Sequence, residues 1–399
     1  MNTMVSAAGQ ETRAPGELRV ALGLSIGAAV SLGFTRFAYA LLLPPMRVSL
    51  RWNYVQAGGM NTSNALGYLF GSAAAAWASR RFGIRRVFLA TLAASGVLLV
   101  ASGLTADYAV LMALRSAGGF ATAMTFVTGA SLAAGINPHG TPQRGARLLA
   151  IYITGVGSGV ALSGLVVPPL LAQLGAAGWR AGWVALGALA LASLAPAAAA
   201  ARRVPSPAAR DEGVLPLKDF FLLWPTFVNY VLFAAGYVSY MTFIIVLIRD
   251  SGGSAPSVAA FWIVLGLSSV LGTLAWGRVF PRLGLRLSSA LVALVVLLGT
   301  LPVLLRPTVG MAFLSAIVFG ASFMAGPTAV TVIVRRLLAP QTWTVALAAL
   351  TVAFALGQSI GPLASGYVSD AAGSVSAGLW LSPLLLVAAA VFALLQRTR

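Results

Sequence analysis

The stretch Gly33-Phe-Thr-Arg36-Phe-Ala-Tyr39-Ala-Leu-Leu-Leu-Pro-Pro-Met46 closes an apolar segment that opens near Leu18, and it carries a charge inside that segment. A lipid-spanning helix takes about 20 apolar residues. An ionised Arg within one is costly, and such residues face a bundle interior or a water-filled cavity. Arg36 is therefore expected to be a cationic anchor facing a central cavity. The alternative is a side chain that snorkels to nearby headgroups, because Pro44 and Pro45 are expected to end the helix about two turns later.

The rest of the chain repeats this texture. Apolar residues make up 59% of the 399 and charged residues only 9%, against about 25% charge in a soluble domain. With a mean hydropathy of +0.91, the chain reads as an all-α integral membrane protein. The net charge of +18 does not indicate nucleic-acid binding, because its basic residues are scattered in small groups between apolar segments. With no cysteine, disulfides, thiolate chemistry and Cys-based metal sites are excluded. Residues 1–17 read as a short tail and not as a cleaved signal.

Twelve apolar segments follow: 18–46, 53–79, 87–105, 108–134, 148–174, 178–200, 218–248, 257–279, 288–305, 308–334, 343–368 and 375–395. With the N-terminus in the cytoplasm, nineteen basic residues fall on the cytoplasmic side. Only Arg47, Arg51, Arg180, Arg249 and Arg306 fall opposite. This positive-inside bias supports two cytoplasmic termini and an even helix count. Arg36 and Arg115 alone remain within spans. Residues 201–217 are polar and Pro-rich and read as a cytoplasmic linker, dividing the chain into bundles 18–200 and 218–399.

The two halves match in order, roughly 200 positions apart. Gly33-Phe-Thr-Arg36-Phe pairs with Gly236-Tyr-Val-Ser239-Tyr, and Arg81-Phe-Gly83-Ile-Arg85 with Arg282-Leu-Gly284-Leu-Arg286. Arg115 pairs with Ala316, and Gly155, Gly159 and Gly164 pair with Gly357, Gly361 and Gly366. Parallel six-span halves place a substrate site at their interface near the membrane midplane. The glycines read as close-packing faces that let helices rock.

With these features the chain resembles the major facilitator superfamily over essentially its whole length. The repeated Arg-x-Gly-x-Arg turn carries the resemblance, which implies two pseudo-symmetric six-helix bundles around a central cavity. It implies gating loops at Arg81, Gly83, Arg85, Arg282, Gly284 and Arg286. The sequence departs from the family pattern in three places: Arg80 and Pro281 stand where the loops usually carry Asp, and Val160 stands where the span 5 signature carries Pro. The family's span 4 Arg is present as Arg115. The run Arg36-Phe-Ala-Tyr-Ala-Leu-Leu-Leu-Pro-Pro-Met, followed by Gln56-Ala-Gly, Asn61-Thr62, Asn64 and Gly67-Tyr68, is similar to a bacterial branch, the YbfB/YjiJ-like proteins. That similarity implies a bacterial inner-membrane carrier and no particular substrate.

Arg36 lies eight residues before Pro44, and Arg115 seven after Tyr108. Both are thus expected roughly 10–12 Å below the outer surface. The acidic residues Glu11, Glu17, Asp107, Asp211, Glu212, Asp219, Asp250 and Asp370 all fall in tails, loops or span ends. His139 lies in a loop and reads as a solvated turn residue. Two buried cations without a carboxylate partner point to an anion, which an Arg fork binds bidentately. The substrate is expected to be a small organic anion held between Arg36 and Arg115. Arg115 could instead serve as a packing contact to backbone carbonyls. Tyr39, Asn61, Asn64, Thr122, Tyr237, Ser239, Tyr240 and Gln358 are expected to supply hydrogen bonds and aromatic surface to the same cavity.

The expected function is rocker-switch transport by a monomer, as proton symport or anion exchange. A proton-coupled multidrug or metabolite efflux carrier is the alternative. It would want a membrane carboxylate and a complete span 5 signature. No enzyme site, cofactor or metal is expected: there is no Cys, no buried carboxylate and one loop His.

Overall fold

The computed structural model describes residues 14–137, 141–205 and 216–396; His139 lies outside them. The chain is helical without strands among these residues. The first helix, α1, runs as an α-helix over Ala14–Ala28, a π-helix over Ala29–Phe37 and an α-helix over Tyr39–Leu50. There follow α2 (Tyr54–Phe82), α3 (Ile84–Leu104), α4 (Tyr108–Ala134), α5 (Pro142–Leu174) and α6 (Trp179–Arg202). The second set is α7 (Trp224–Asp250), α8 (Ala255–Val279), α9 (Leu285–Leu305), α10 (Val309–Leu337), α11 (Trp343–Ala372) and α12 (Val375–Leu394). A short helix, Leu217–Leu222, leads into α7.

Three boundaries differ from the sequence expectation. Helix α1 begins at Ala14, so Glu17 is helical; its carboxylate pairs with Arg144 of α5 at 2.8 Å and accepts from Asn137 at 3.0 Å. Pro44 and Pro45 do not end α1. They sit inside it, and the helix stops only where Arg51 takes a left-handed φ of 54°. Proline removes a donor and crowds the preceding turn, but neighbouring helices can compensate inside a bundle, and α1 is almost wholly enclosed. At the start of the expected linker α6 continues to Arg202 and Val204 is buried; 206–215 lie outside the described residues.

Eleven of these helices are long and apolar enough to cross a membrane. The twelfth, α2, has 29 residues but carries a polar run in its first half. Each polar side chain of that run reaches another helix. Asn61 donates to Thr242 Oγ1 of α7 (2.6 Å), Thr62 to the Ser359 carbonyl of α11 (2.6 Å), and Ser63 to the Met112 carbonyl of α4 (2.7 Å). Asn64 donates to the carbonyl of Arg115 (3.1 Å). In lipid, where apolar contact alone gives helices little reason to associate, such bonds contribute about 0.6 kcal/mol each.

Glycine contacts show the pseudo-symmetry. Gly155 and Gly159 of α5 seat on the backbone of α1 at Ser25 and Ala29, and Gly357 and Gly361 of α11 seat on α7 at Val231 and Ala235. Across the seam, Gly164 meets Trp262 of α8, and Gly366 meets Tyr54 of α2. The repeated turns also act alike: Arg85 donates to the Val204 carbonyl beyond α6, and Arg286 to the Gln396 carbonyl beyond α12 (2.6 Å). Each fastens the last helix of its own bundle. Gly83 needs a glycine at φ 86°, whereas Gly284, at φ −69°, does not. Arg81 lies over the Phe82 ring, and Arg282 closes the short turn Phe280–Arg282.

Candidate functional site

The π-helical stretch of α1 places Arg36. Its signature is backbone bonding five residues back, as where Ala38 N–H donates to the Gly33 carbonyl (3.0 Å); the Thr35 hydroxyl also donates to the Val30 carbonyl (3.0 Å). Such wide turns recur at functional sites. Gly33 lets this turn press on α5, since a Cβ there would lie 2.7 Å from the Gly159 backbone. The turn brings Arg36, Phe37 and Ala40 to one small cavity, closed on the other sides by Asn61, Val238 and Met241. Its volume is about 10 Å³, room for roughly one water.

Arg36 is 4% exposed. Its guanidinium lies 5.4 Å from the centre of the Tyr68 ring, and no hydrogen bond or ion pair joins it to another described residue. Arg115 is equally buried but differently surrounded. It donates through Nη1 to the Thr35 carbonyl and through Nη2 to Asn61 Oδ1 (3.2 Å), and lies over the rings of Tyr39 (4.9 Å) and Trp183 (5.6 Å). The bond to Thr35, the neighbour of Arg36, brings the two arginines to the same level. Asn61 passes the connection on to Thr242, so a polar chain runs from Arg115 across the seam into α7.

On the far side, Gln358 Nε2 donates to the Tyr237 hydroxyl at 2.6 Å, while Gln358 Oε1 is buried without a partner. Tyr237 belongs to a continuous group of rings. Phe233 lies 5.5 Å away, Phe354 5.9 Å and Phe323 6.1 Å; Tyr230 stacks on Phe354 at 4.4 Å. Phe37 completes the group across the seam, edge-on to Phe323 at 5.6 Å.

Five residues expected at the cavity are engaged elsewhere. The Tyr39 hydroxyl donates to the Ala57 carbonyl (2.8 Å) while its ring stacks on Trp183. Asn64 belongs to the α2–α4 contact described above. Thr122 donates to the Ser31 carbonyl (3.2 Å), joining α4 to α1. Ser239 bonds back to Ala235 in its own helix (2.8 Å), and Tyr240 pairs with Ser315 while its ring packs on Phe319. Each is held in a helix-packing contact, although Asn64 Oδ1 is buried without a partner. Conversely, Tyr68, Phe323 and Phe354 were absent from the expected set. Tyr68 was readable: it follows Asn61 by seven residues, hence on the same helix face.

The polar bonds between the two bundles lie at and beyond the level of Asn61, toward the end away from the chain termini. Beyond Asn61–Thr242 and Thr62–Ser359, Asp370 of α11 accepts from the N–H groups of Tyr54 and Val55 at 2.8 Å each. A carboxylate on a helix N-terminus is a favourable charge–dipole arrangement, and here it ties α2 to α11. Asp370→Ala should loosen this end. With Ser49→Cys and Ser374→Cys spin-labelled in the otherwise cysteine-free chain, the more widely separated population should rise about tenfold, allowing for the exposure of the site. An unchanged distance distribution would show that the tie holds nothing.

Residues 28–394 match a family described as "Uncharacterised MFS-type transporter YbfB". The fold is similar to the crystal structure of a bacterial homologue of the human lysosomal transporter Spinster, inward-facing and unoccupied (TM-score 0.67, 18% identity, 96% of each chain covered). It is also similar to the nucleoside transporter NupG (TM-score 0.72, 15% identity, 94% of this chain and 98% of that one). At these identities the likeness is one of fold.

Proposed function

The chain belongs to the YbfB family of major facilitator-type transporters, and from that premise we propose that it carries a small organic anion across the bacterial inner membrane, with Arg36 as the binding cation. The observation that carries this reading is a buried arginine whose guanidinium, at the cavity, has no acceptor among the described residues. Burying an unpaired charge is costly, and an incoming carboxylate removes that cost while gaining two parallel charge-assisted hydrogen bonds. Arg115 has acceptors already, so its role is to hold α1 and Asn61 in place beside the anion.

Transport proceeds by rocking of the two bundles, residues 18–200 and 218–399, about the α2–α11 and α5–α8 contacts, with 201–217 as the connection. With both termini cytoplasmic, the Asp370 tie lies at the outer end, and parting of the bundles at the other end opens the closed cavity toward the cytoplasm. The carrier works as a monomer, and its cycle returns with a proton or with a second anion. Reconstituted protein should take up labelled organic acids saturably, with a pH gradient or an internal counter-anion as driving force. Uptake of tetraphenylphosphonium without uptake of any acid would overturn the anion reading in favour of cationic drug transport.

A further inference from the structure

We propose that the substrate is a planar aromatic monocarboxylate, whose carboxylate sits on Arg36 and whose ring enters between Phe37 and the rings of Phe323 and Tyr237. This rests on the anion reading above and narrows it.

Charge sets the first limit. Only one of the two buried cations has its terminal nitrogens free, since Arg115 leaves only its buried Nε without a partner. Arg115 is committed to the Thr35 carbonyl and Asn61 and enclosed by Tyr39 and Trp183. A phosphate monoester carries about −1.5 to −2 at neutral pH and would leave charge uncompensated in a buried site. A carboxylate carries one charge and matches one guanidinium fork.

Donor chemistry sets the second. The Tyr237 hydroxyl already accepts from Gln358 Nε2, which leaves its own proton to donate. The Tyr237 ring packs on Phe323, which meets cavity-lining Phe37, and the Tyr68 ring lies 5.4 Å from the Arg36 guanidinium. The polar groups offered to the guest by Arg36 and Tyr237 are therefore donors, and an acceptor-only group such as a carboxylate uses them all.

Shape sets the third. Cavity-lining Phe37 sits next to Arg36 in the chain, and its edge-on contact with Phe323 crosses the seam. When the bundles part, that contact is lost, and the slot it leaves has rings on both sides and the cation at one end. Rings at centroid separations of 4.5–7 Å attract one another beyond their apolar area, so a flat ring gains more here than a saturated one.

Binding of benzoate, cyclohexanecarboxylate, phthalate, inorganic phosphate and benzamide to the purified full-length protein, measured by calorimetry, tests this. Benzoate should bind saturably. Cyclohexanecarboxylate and the dianion phthalate should bind about tenfold more weakly, and phosphate and benzamide not detectably. Phe323→Leu should weaken benzoate about tenfold and leave cyclohexanecarboxylate unchanged; Arg36→Gln should abolish both. Elution volume and thermal midpoint verify that each variant is folded. Equal binding of cyclohexanecarboxylate and benzoate, or preferred binding of phthalate or phosphate, overturns the aromatic monocarboxylate and leaves the anion reading standing. Binding of none of the anions, or binding undiminished in folded Arg36→Gln, overturns both.

Discussion

Arg36→Gln should yield a protein that folds at least as well as the parent and transports nothing. The functional half of this expectation follows from the bonds a carboxylate makes to a guanidinium fork. Two charge-assisted hydrogen bonds at about 1.5–3 kcal/mol each correspond to a loss of two orders of magnitude or more in affinity. The stability half follows from what Arg36 lacks. Its charge is buried with a ring and room for roughly one water, and it has no acceptor among the described residues. Replacing it by a neutral side chain of similar length should stabilise the fold by about 1 kcal/mol, a rise in melting midpoint of roughly 2–4 °C. Loss of transport with a raised midpoint is the signature of a ligand-binding charge. Retained transport by a folded variant would remove Arg36 from the site, and a sharply lowered midpoint would make it a structural residue.

Arg115→Leu should do the reverse. The substitution leaves the Thr35 carbonyl and Asn61 Oδ1 without their donor and removes two ring contacts. Breaking one side of a buried charged network costs about 3–5 kcal/mol, which should lower the midpoint by roughly 10 °C. Arg115→Lys keeps a charge over Tyr39 and Trp183 but cannot reproduce the fork, and should fall between. The measurement is a thermal unfolding series in one detergent, read alongside binding. Arg115→Leu of parental stability with abolished binding would instead place Arg115 on the substrate.

The contrast between these two arginines was only half visible in the sequence. That both were buried at one level could be read, because a charge in an apolar run stands out and helix rise converts position into depth. Which of them had partners could not, because the acceptors are a backbone carbonyl and an amide from α1 and α2, distant in sequence. The side chains around them show why facing was harder to read than existence. On a regular helix Tyr39, three residues past Arg36, shares its face. The π-helical stretch ends between them, and Tyr39 turns to Ala57 while Ala40, one turn past Arg36, and Phe37 line the cavity. Ser239, aligned with Arg36 in the repeat, bonds back to its own helix, as hydroxyls in spans often do. Asp370 could be placed at a span end from sequence, but its partners are two N–H groups of a helix some 300 positions earlier.

The seam between the bundles has the character of a bearing more than of a gear. Gly157 faces Gly266, Gly58 faces the Pro362 carbonyl, and Gly366 faces that of Tyr54; backbone rests on backbone where larger side chains would interlock. Where the seam is built this way it can roll through several degrees, and the side chains that must shift are those that cross it, such as Phe37 against Phe323 and Trp262 against Gly164. The resistance to motion is then concentrated in discrete catches at the rim, of which Asp370 on the start of α2 is the most exposed. The rate of alternation in such a machine is set by its catches, and its axle can be lengthened, stiffened or repacked with little effect on speed, provided the surfaces stay smooth.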